Sequence, residues 1–408
     1  MSVRRKCFFR TSYIIYYVCT VIIRLRDTYD VECKKKRKVM HELHHILELY
    51  SYHDIETPTF EFFDIFGREI GTTPSKDLYK FFDREGNTLV LRPDITPSIA
   101  RCAAKYFGEE ELPIRLCYMG NTFINNSSYQ GRLKECTQLG AELLGDPSVD
   151  ADAEMISMVI SCLKAAGLKE FQLSIGHADF FRGLMEAAGL LEEQEEELRE
   201  LISNKNFFGV EEFVETLNLE ENLKNLFGML GNLYTGSDEL SAARECAASY
   251  PRILKAIGDL EELHKILEVY EVSRYVSFEL GTISNYQYYT GIIFAGYTFG
   301  SGEAIVKGGR YDRLLTCFGK DSASIGFAFV IDQLMAALQR QKIDVPVERC
   351  VELMVYKSAK RQTAITAAAT ARAAGRCVEL MLWDETKQKE DYEDYAARSR
   401  MINVQFFA

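Results

Sequence analysis

Strand-like sequence on both sides of a long helical block most limits how this chain can fold. From Phe180 to about Leu267 the pattern is almost wholly helical. The acidic run Glu192-Glu193-Gln194-Glu195-Glu196-Glu197 within it reads as a solvated helix face. Before the block, Glu32 to Tyr52 reads as an amphipathic helix, with Val39, Leu43, Ile46, Leu47 and Tyr50 at three- and four-residue steps. Asp54 to Phe60 is expected as a strand whose Pro58 confines it to a sheet edge or interface. Lys80 to Leu91 reads as a hairpin turning at Glu85-Gly86-Asn87. A helix then starts with Thr96 as its cap and Pro97 at its first position. Ile114 to Phe123 and Glu135 to Leu144 read as strands around a polar loop, Ala151 to Ala166 as a helix ending at Gly167, and Phe171 to Gly176 as a strand. After the block come strands over Tyr275 to Phe299 and Glu303 to Lys307, then a helix over Phe327 to Arg340. From Arg349 onward, strand and helix patterns alternate, which predicts a small parallel α/β unit. The helical block is therefore an insertion in a strand-bearing core.

A length of 408 residues allows two or three domains, and 47% hydrophobic with 26% charged residues is ordinary for a globular chain. The formal net charge of -12 opposes non-specific attraction to nucleic acid, which needs clustered cations. The basic run Lys34 to Lys38 opens a helical pattern and reads as a solvated face. The 11 cysteines contain no Cys-x-x-Cys pair, so reduced thiols in a cytoplasmic protein are expected and a cysteine zinc site is not. His41-Glu42-Leu43-His44-His45 matches a zinc-hydrolase pattern that would place His41 and His45 on one helix face with Glu42 as general base. No third ligand follows at a recognisable spacing, and Leu43, Ile46 and Leu47 suit a packed helix, so no metal is expected there. Ser12 to Ile23 is apolar but shorter than the ~20 residues that span a bilayer. It also lacks the small-residue cleavage site of a signal peptide. It is either a membrane-associated anchor or a non-native extension from a misplaced start; the second reading is preferred, and no membrane partner is expected.

Two further segments carry chemistry: Tyr288-Tyr289-Thr290-Gly291 and Gly308-Gly309-Arg310-Tyr311-Asp312. Together they resemble the paired histidine-recognition signatures of histidyl-tRNA synthetases. The resemblance extends over roughly Arg26 to Leu338. It is carried also by Gly71-Thr72-Thr73-Pro74-Ser75-Lys76, Leu91-Arg92-Pro93-Asp94-Ile95-Thr96-Pro97-Ser98 and Gly120-Asn121-Thr122-Phe123-Ile124-Asn125-Asn126. Within this group the chain is most similar to the regulatory subunits of ATP phosphoribosyltransferase. The resemblance implies an α+β fold of the class II aminoacyl-tRNA synthetase type, an antiparallel sheet flanked by helices. It implies a core over residues 26–345 with a helical insertion at 180–267, after an atypical extension at 1–25. A shortened anticodon-binding-like α/β unit follows at 346–408.

Activating an amino acid on ATP builds negative charge on phosphorus, and catalysis is mainly positioning plus cationic stabilisation. The synthetases that the chain resembles supply arginines at three places. Here Ile124 and Asn126 stand for the motif 2 arginine and glutamate, Gln333 for the motif 3 arginine, and Ser284 for the arginine before the tyrosine pair. Losing one such donor typically lowers the rate by ~10²–10³. Neither glutamine, serine nor isoleucine replaces a cation, so no catalytic residue is expected.

The amino-acid pocket is better preserved. By resemblance, Asp94 and Thr96 match positions that contact the α-amino group. Gln138-Leu139-Gly140-Ala141-Glu142 matches the family's Gln-x-Gly-x-Glu strand, and a strand places Gln138 and Glu142 on one face. Tyr288 and Tyr289 match the first histidine signature and Tyr311 the second. Taken singly, each of these is as readily a core or surface residue. Arg310 is read as bracing Asp312, the other reading being a ligand carboxylate. The implied role is that of a non-catalytic subunit, without a cofactor of its own. It would enable the short-form catalytic subunit of ATP phosphoribosyltransferase in the first step of histidine biosynthesis, with histidine as effector and a homodimer inside a hetero-oligomer. An active histidyl-tRNA synthetase, and a pseudo-synthetase adaptor for RNA or protein, are the competing readings.

Overall fold

The computed structural model describes residues 27–67, 73–110, 113–126, 133–282, 288–347 and 350–408. The expectations placed on residues 1–25, on Gly71 and Thr72, and on Ser284 lie outside the described residues. The chain divides into two compact units, with the boundary between Asp344 and Val345.

The larger unit is built on a nine-stranded sheet. Its central strands are antiparallel in the order Ile114–Phe123, Glu135–Leu144, Ser324–Val330, Val306–Arg310, Ile292–Thr298 and Phe171–His177. Short strands close the two edges. His53–Asp54 runs parallel to Ile114–Phe123; at the other end Val276–Glu279 runs parallel to Phe171–His177. The helix Val149–Ala165 packs on this sheet and against the helix Asp30–Leu49. The first buries Ala153, Met155, Ile156, Met158, Val159, Ile160, Cys162 and Leu163 completely, while the second buries only Val39, Leu43 and Leu47. That four-residue step gives one apolar stripe, as an outer helix requires. The Ser148 hydroxyl caps the inner helix by accepting from the Ala151 amide at 3.2 Å. A separate three-stranded sheet pairs Thr88–Leu91 with Phe60–Phe62 and Lys80–Phe82, and Gly86 supplies the left-handed residue of the hairpin turn at φ 88°.

The insertion runs through helices Ala178–Ala188, Glu192–Ser203, Phe207–Glu215, Glu221–Gly228, Ser241–Cys246 and Pro251–Val269. It is not wholly helical: Leu233–Tyr234 returns to pair antiparallel with Val276–Glu279, so the insertion contributes the last strand of the main sheet. The smaller unit has three parallel strands in the order Cys377–Leu382, Val351–Tyr356 and Asn403–Phe407, with helices Arg361–Ala373 and Lys389–Arg398. Leu353 and Val355 pack with Tyr392 and Ala396, and Met354 packs with Ala368 and Ala371.

Several sequence expectations need correction. Phe327 to Val330 is not helix but the end of the strand Ser324–Val330, and the helix starts at Ile331. Ile325, Phe327 and Phe329 alternate with smaller residues and are buried, so sheet pairing on both sides overrides local propensity. The strand expected at Glu303 to Lys307 is Val306–Arg310. It includes both glycines because a Cβ at Gly308 would lie 2.3 Å from the Phe294 ring. The strand expected at Asp54 to Phe60 is split into His53–Asp54 and Phe60–Phe62; Pro58, which has no N–H to donate, lies in the gap.

Arg310 ties the sheet to the start of the inner helix. Its Nε donates to Asp152 Oδ1 at 2.9 Å, and its Nη atoms donate to the carbonyls of Asp146 and Ser148 and to Asp312 Oδ1. Arg310 is thus a brace, with Asp152 as its nearest carboxylate and Asp312 a weaker partner at 3.3 Å. Breaking a buried ion pair by removing one partner typically costs about 3–5 kcal/mol. Arg310→Met should lower the unfolding free energy by that amount, read as a lower urea midpoint at unchanged m-value; a midpoint unchanged from wild type would show that the brace contributes no stability.

Candidate functional site

Glu142 lies on the strand Glu135–Leu144, 1% exposed, directly across from Gly326. A Cβ on Gly326 would sit 1.5 Å from Glu142 Oε2, so the carboxylate occupies the space that glycine leaves open. Its Oε1 accepts from the Thr96 hydroxyl at 2.7 Å and its Oε2 from the Tyr311 hydroxyl at 2.5 Å. Thr96 was expected to cap its helix; it is instead the first residue of the helix Thr96–Tyr106, and its hydroxyl is committed to Glu142. No side chain caps this helix; Asp94 Oδ1 accepts from the amide of Ile95, the residue before the helix, at 2.8 Å. Asp94 Oδ2 accepts from the Tyr288 hydroxyl at 3.4 Å, a long contact.

Aromatic rings wall these carboxyl groups. The Tyr288 ring is 4.8 Å from that of Tyr289 and meets Tyr311 edge-on at 5.8 Å. Tyr118 joins the same buried cluster with Ile95 and Ile99. Glycine again allows the approach: a Cβ on Gly140 would lie 2.6 Å from the Tyr118 ring, and one on Gly309 2.8 Å from the Tyr289 ring.

Electrostatics in this cluster favour a cationic guest. Burial raises the Glu142 pKa to about 8; the Tyr311 and Thr96 hydrogen bonds oppose that rise and the charge of Asp94 adds to it. Burial likewise raises Asp94. Among the described residues, no Lys or Arg acts on either carboxyl. Two further polar atoms, the Tyr118 hydroxyl and Gln138 Oε1, are buried with no hydrogen-bond partner among the described residues. Leaving such a group unsatisfied costs about 1–3 kcal/mol. Two buried carboxyls, tyrosine rings and unsatisfied acceptors are what an ammonium or imidazolium ligand pairs with.

The structure brings Asp94, Thr96, Glu142, Tyr288, Tyr289 and Tyr311 into one cluster. Gln138 shares the face of Glu142, since it pairs with Gly120 where Glu142 pairs with Leu116, but it makes no hydrogen bond to the others. Sequence reading missed Tyr118. Its only signal was parity along its strand: Leu116, Tyr118 and Gly120 share a face opposite Glu142, Gly140 and Gln138. Arg92, the nearest cation in sequence to Asp94, is spent on backbone. It donates to the carbonyls of Asn121, Thr57 and Pro58.

Two of the residues in the arginine positions, Ile124 and Gln333, and Asn126 in the glutamate position are also placed. Ile124 follows the strand Ile114–Phe123, the Asn126 amide donates to the Leu133 carbonyl at 3.4 Å, and Gln333 lies in the first turn of the helix Ile331–Arg340. Of the His-Glu-x-x-His segment, His41 and His45 are exposed, and His45 pairs with Glu48. The middle histidine, His44, holds Asp54 Oδ1 at 2.7 Å, and Cys117 Sγ contacts the same oxygen at 3.6 Å. Burial and then Asp54 push the Cys117 thiol up to about 12, so this trio is a hydrogen-bonded group around a protonated thiol. No helix among the described residues is long and apolar enough to cross a membrane.

Comparison with known proteins gives one family. The profile described as "Histidyl-tRNA synthetase" matches residues 24–334. An ATP phosphoribosyltransferase regulatory subunit of Acetivibrio thermocellus is 40% identical over 359 residues, 87% of this chain and 85% of the relative. One from Ruminiclostridium cellulolyticum is 38% identical over 380 residues, 93% of this chain and 90% of the relative. Among solved structures, an ATP phosphoribosyltransferase regulatory subunit/histidyl-tRNA synthetase from Bacillus halodurans superimposes with a TM-score of 0.82 at 32% identity, covering 95% of this chain and 98% of that one. A histidyl-tRNA synthetase from Nostoc, 16% identical with a TM-score of 0.75, shares the fold. The chain has the α+β fold of class II aminoacyl-tRNA synthetases, and it belongs to the ATP phosphoribosyltransferase regulatory subunits of the histidyl-tRNA synthetase group.

Proposed function

We propose that this chain is a non-catalytic, cytoplasmic subunit that binds histidine in the Glu142 cluster and transmits its presence to a short-form catalytic subunit of ATP phosphoribosyltransferase. One observation carries this reading: Asp94 and Glu142 are buried side by side, inside a wall of tyrosines, with no Lys or Arg among the described residues acting on them. An amino acid bearing an ammonium and an imidazole supplies what that site lacks. Ile124 and Gln333 leave the neighbouring ATP positions without the cations that adenylation needs. The names of the relatives support a role beside a catalytic partner.

The decisive experiment is co-expression with the short catalytic subunit. Phosphoribosyltransferase activity should appear and histidine should suppress it, while the pure chain should catalyse no histidine-dependent ATP–pyrophosphate exchange. Robust exchange would make it a synthetase. Glu142→Gln keeps the shape and removes the charge. A lost charged hydrogen bond is worth roughly 1.5–3 kcal/mol, so this variant should need about ten-fold more histidine or beyond. Unchanged inhibition would place the effector site on the catalytic subunit.

Proton linkage gives an independent check. The folded-state pKa of Glu142 is raised from 4.5 to about 8, so the native state holds a proton that the unfolded chain releases. Through this group, stability of the ligand-free protein should fall as pH rises from about 4.5 toward 8. Histidine binding near pH 7 should release that proton, because the ammonium favours the carboxylate. Calorimetry in buffers of different ionisation enthalpy reads the release directly; a value unaltered in Glu142→Gln would exclude Glu142 as its source.

The homodimer is proposed to form through Lys36 to Tyr50 and Ile55 to Phe60. Phe60 is 51% exposed with Phe81 against its edge, and Leu49 is 67% exposed, so these elements present apolar surface to a partner. Sedimentation at micromolar concentration should give a dimer that Phe60→Lys weakens. A wild-type monomer would refute the assignment.

A further inference from the structure

Tyr289 and Tyr311 belong to the tyrosine cluster, but the residues beside them line a different cavity. Thr290, Arg310 and Asp312 form one wall of a space of about 410 Å³, within the ~300–1,000 Å³ usual for small-molecule sites. The opposite wall comes from the helical insertion, through Arg182 on the helix Ala178–Ala188 and Arg252 and Lys255 on the helix Pro251–Val269; Arg313 completes the lining.

Cations here share their counter-ions. Asp179 serves both Arg252 at 2.6 Å and Arg182 at 3.6 Å, Arg252 also pairs with Glu186 at 3.1 Å, and Asp259 serves both Lys255 at 2.8 Å and His177 at 3.4 Å. Arg313 is exposed and makes no ion pair among the described residues. Burial lowers the Arg182 pKa; Asp179 opposes this, and the charges of Arg252 and Arg313 reinforce it. Three guanidinium groups therefore sit close enough to repel one another around an open volume. The first turns of the helices starting at Val149, Ala178 and Pro251 all contribute lining residues, which adds their positive ends to the same space.

We propose that this cavity binds a small hydroxylated phosphate monoester. The phosphate lies among Arg182, Arg252 and Arg313, whose planar forks match its oxygens, and the ligand hydroxyls face the carboxylates of Asp259 and Asp312. A ligand there acts on the same backbone as the tyrosine cluster. The Thr290 amide donates to the Arg310 carbonyl at 2.7 Å, and the Thr290 hydroxyl accepts from the Asp312 amide at 3.0 Å. Those bonds clamp together the two strips that carry Tyr289 and Tyr311 on their other side. The site is independent of whether histidine is the ligand of the tyrosine cluster.

The test is calorimetric titration of the full chain with ribose 5-phosphate and, separately, inorganic phosphate at fixed ionic strength. Saturable binding of ribose 5-phosphate at millimolar concentration or below, tighter than that of inorganic phosphate, is expected. Arg313→Ala, at an exposed side chain without an ion pair, should weaken it roughly ten-fold or more, and Arg252→Gln should do the same. Equal affinity for the two probes would overturn the ester and leave free phosphate as the ligand. No saturable binding of either probe, or binding unmoved by both substitutions, would overturn the site.

Discussion

A carboxyl group buried in the middle of the sheet organises much of this protein. Glu142 cannot be solvated where it is, so its surroundings must supply its hydrogen bonds. Thr96 and Tyr311 do so from opposite sides, one from the start of a helix and one from the turn after a strand. The helix Thr96–Tyr106, the strand Glu135–Leu144 and the strand Val306–Arg310 are thereby held in one register around a single side chain. Gly326 is the steric complement, because any side chain there would occupy the position of the carboxylate.

Such an arrangement is poorly explained by stability alone. A buried carboxyl with a pKa near 8 and a second raised carboxyl beside it work against the fold at neutral pH. Apolar residues of similar size would serve a core better. Unsatisfied Gln138 and Tyr118 atoms add to the deficit. The imbalance fits a site completed by a small cation-bearing molecule, where the deficit of the empty state becomes differential affinity for the filled one.

Much of this was legible in the sequence where pattern and register agree. The strands at Ile114 to Phe123 and Glu135 to Leu144 could be read to the residue because a polar loop separates them. Glu142 and Gln138 could be placed on one face from parity. What failed was local inference at positions that distant partners control. Phe327 and Phe329 look like the start of an apolar helix until the pairing partners on both sides are known. Thr96 has the chemistry of a cap, but a carboxyl 46 residues away in sequence claims its hydroxyl and leaves Asp94 to take the backbone amide. Tyr118 had no sequence cue beyond its parity, since its role depends on a glycine in the neighbouring strand.

The strips Tyr289-Thr290 and Arg310-Tyr311-Asp312 show how one short motif can serve two environments. Adjacent side chains in extended backbone point to opposite sides. Tyr311 therefore reaches Glu142, while Arg310 on one side of it is locked to Asp152 and Asp312 on the other accepts from the Ser324 amide at 2.9 Å. Tyr289 packs with the tyrosines, and the next residue, Thr290, bonds to Asp312. The layer between the tyrosine cluster and the cavity lined by Thr290, Arg310 and Asp312 is one backbone thick. The Thr290–Asp312 and Arg310–Asp152 contacts flank the residues that carry the tyrosine rings. Arg310 in turn fixes the first turn of the helix Val149–Ala165, whose buried face packs against the outer helix Asp30–Leu49. A chain of packed contacts thus connects the carboxyl in the sheet to the outer helix.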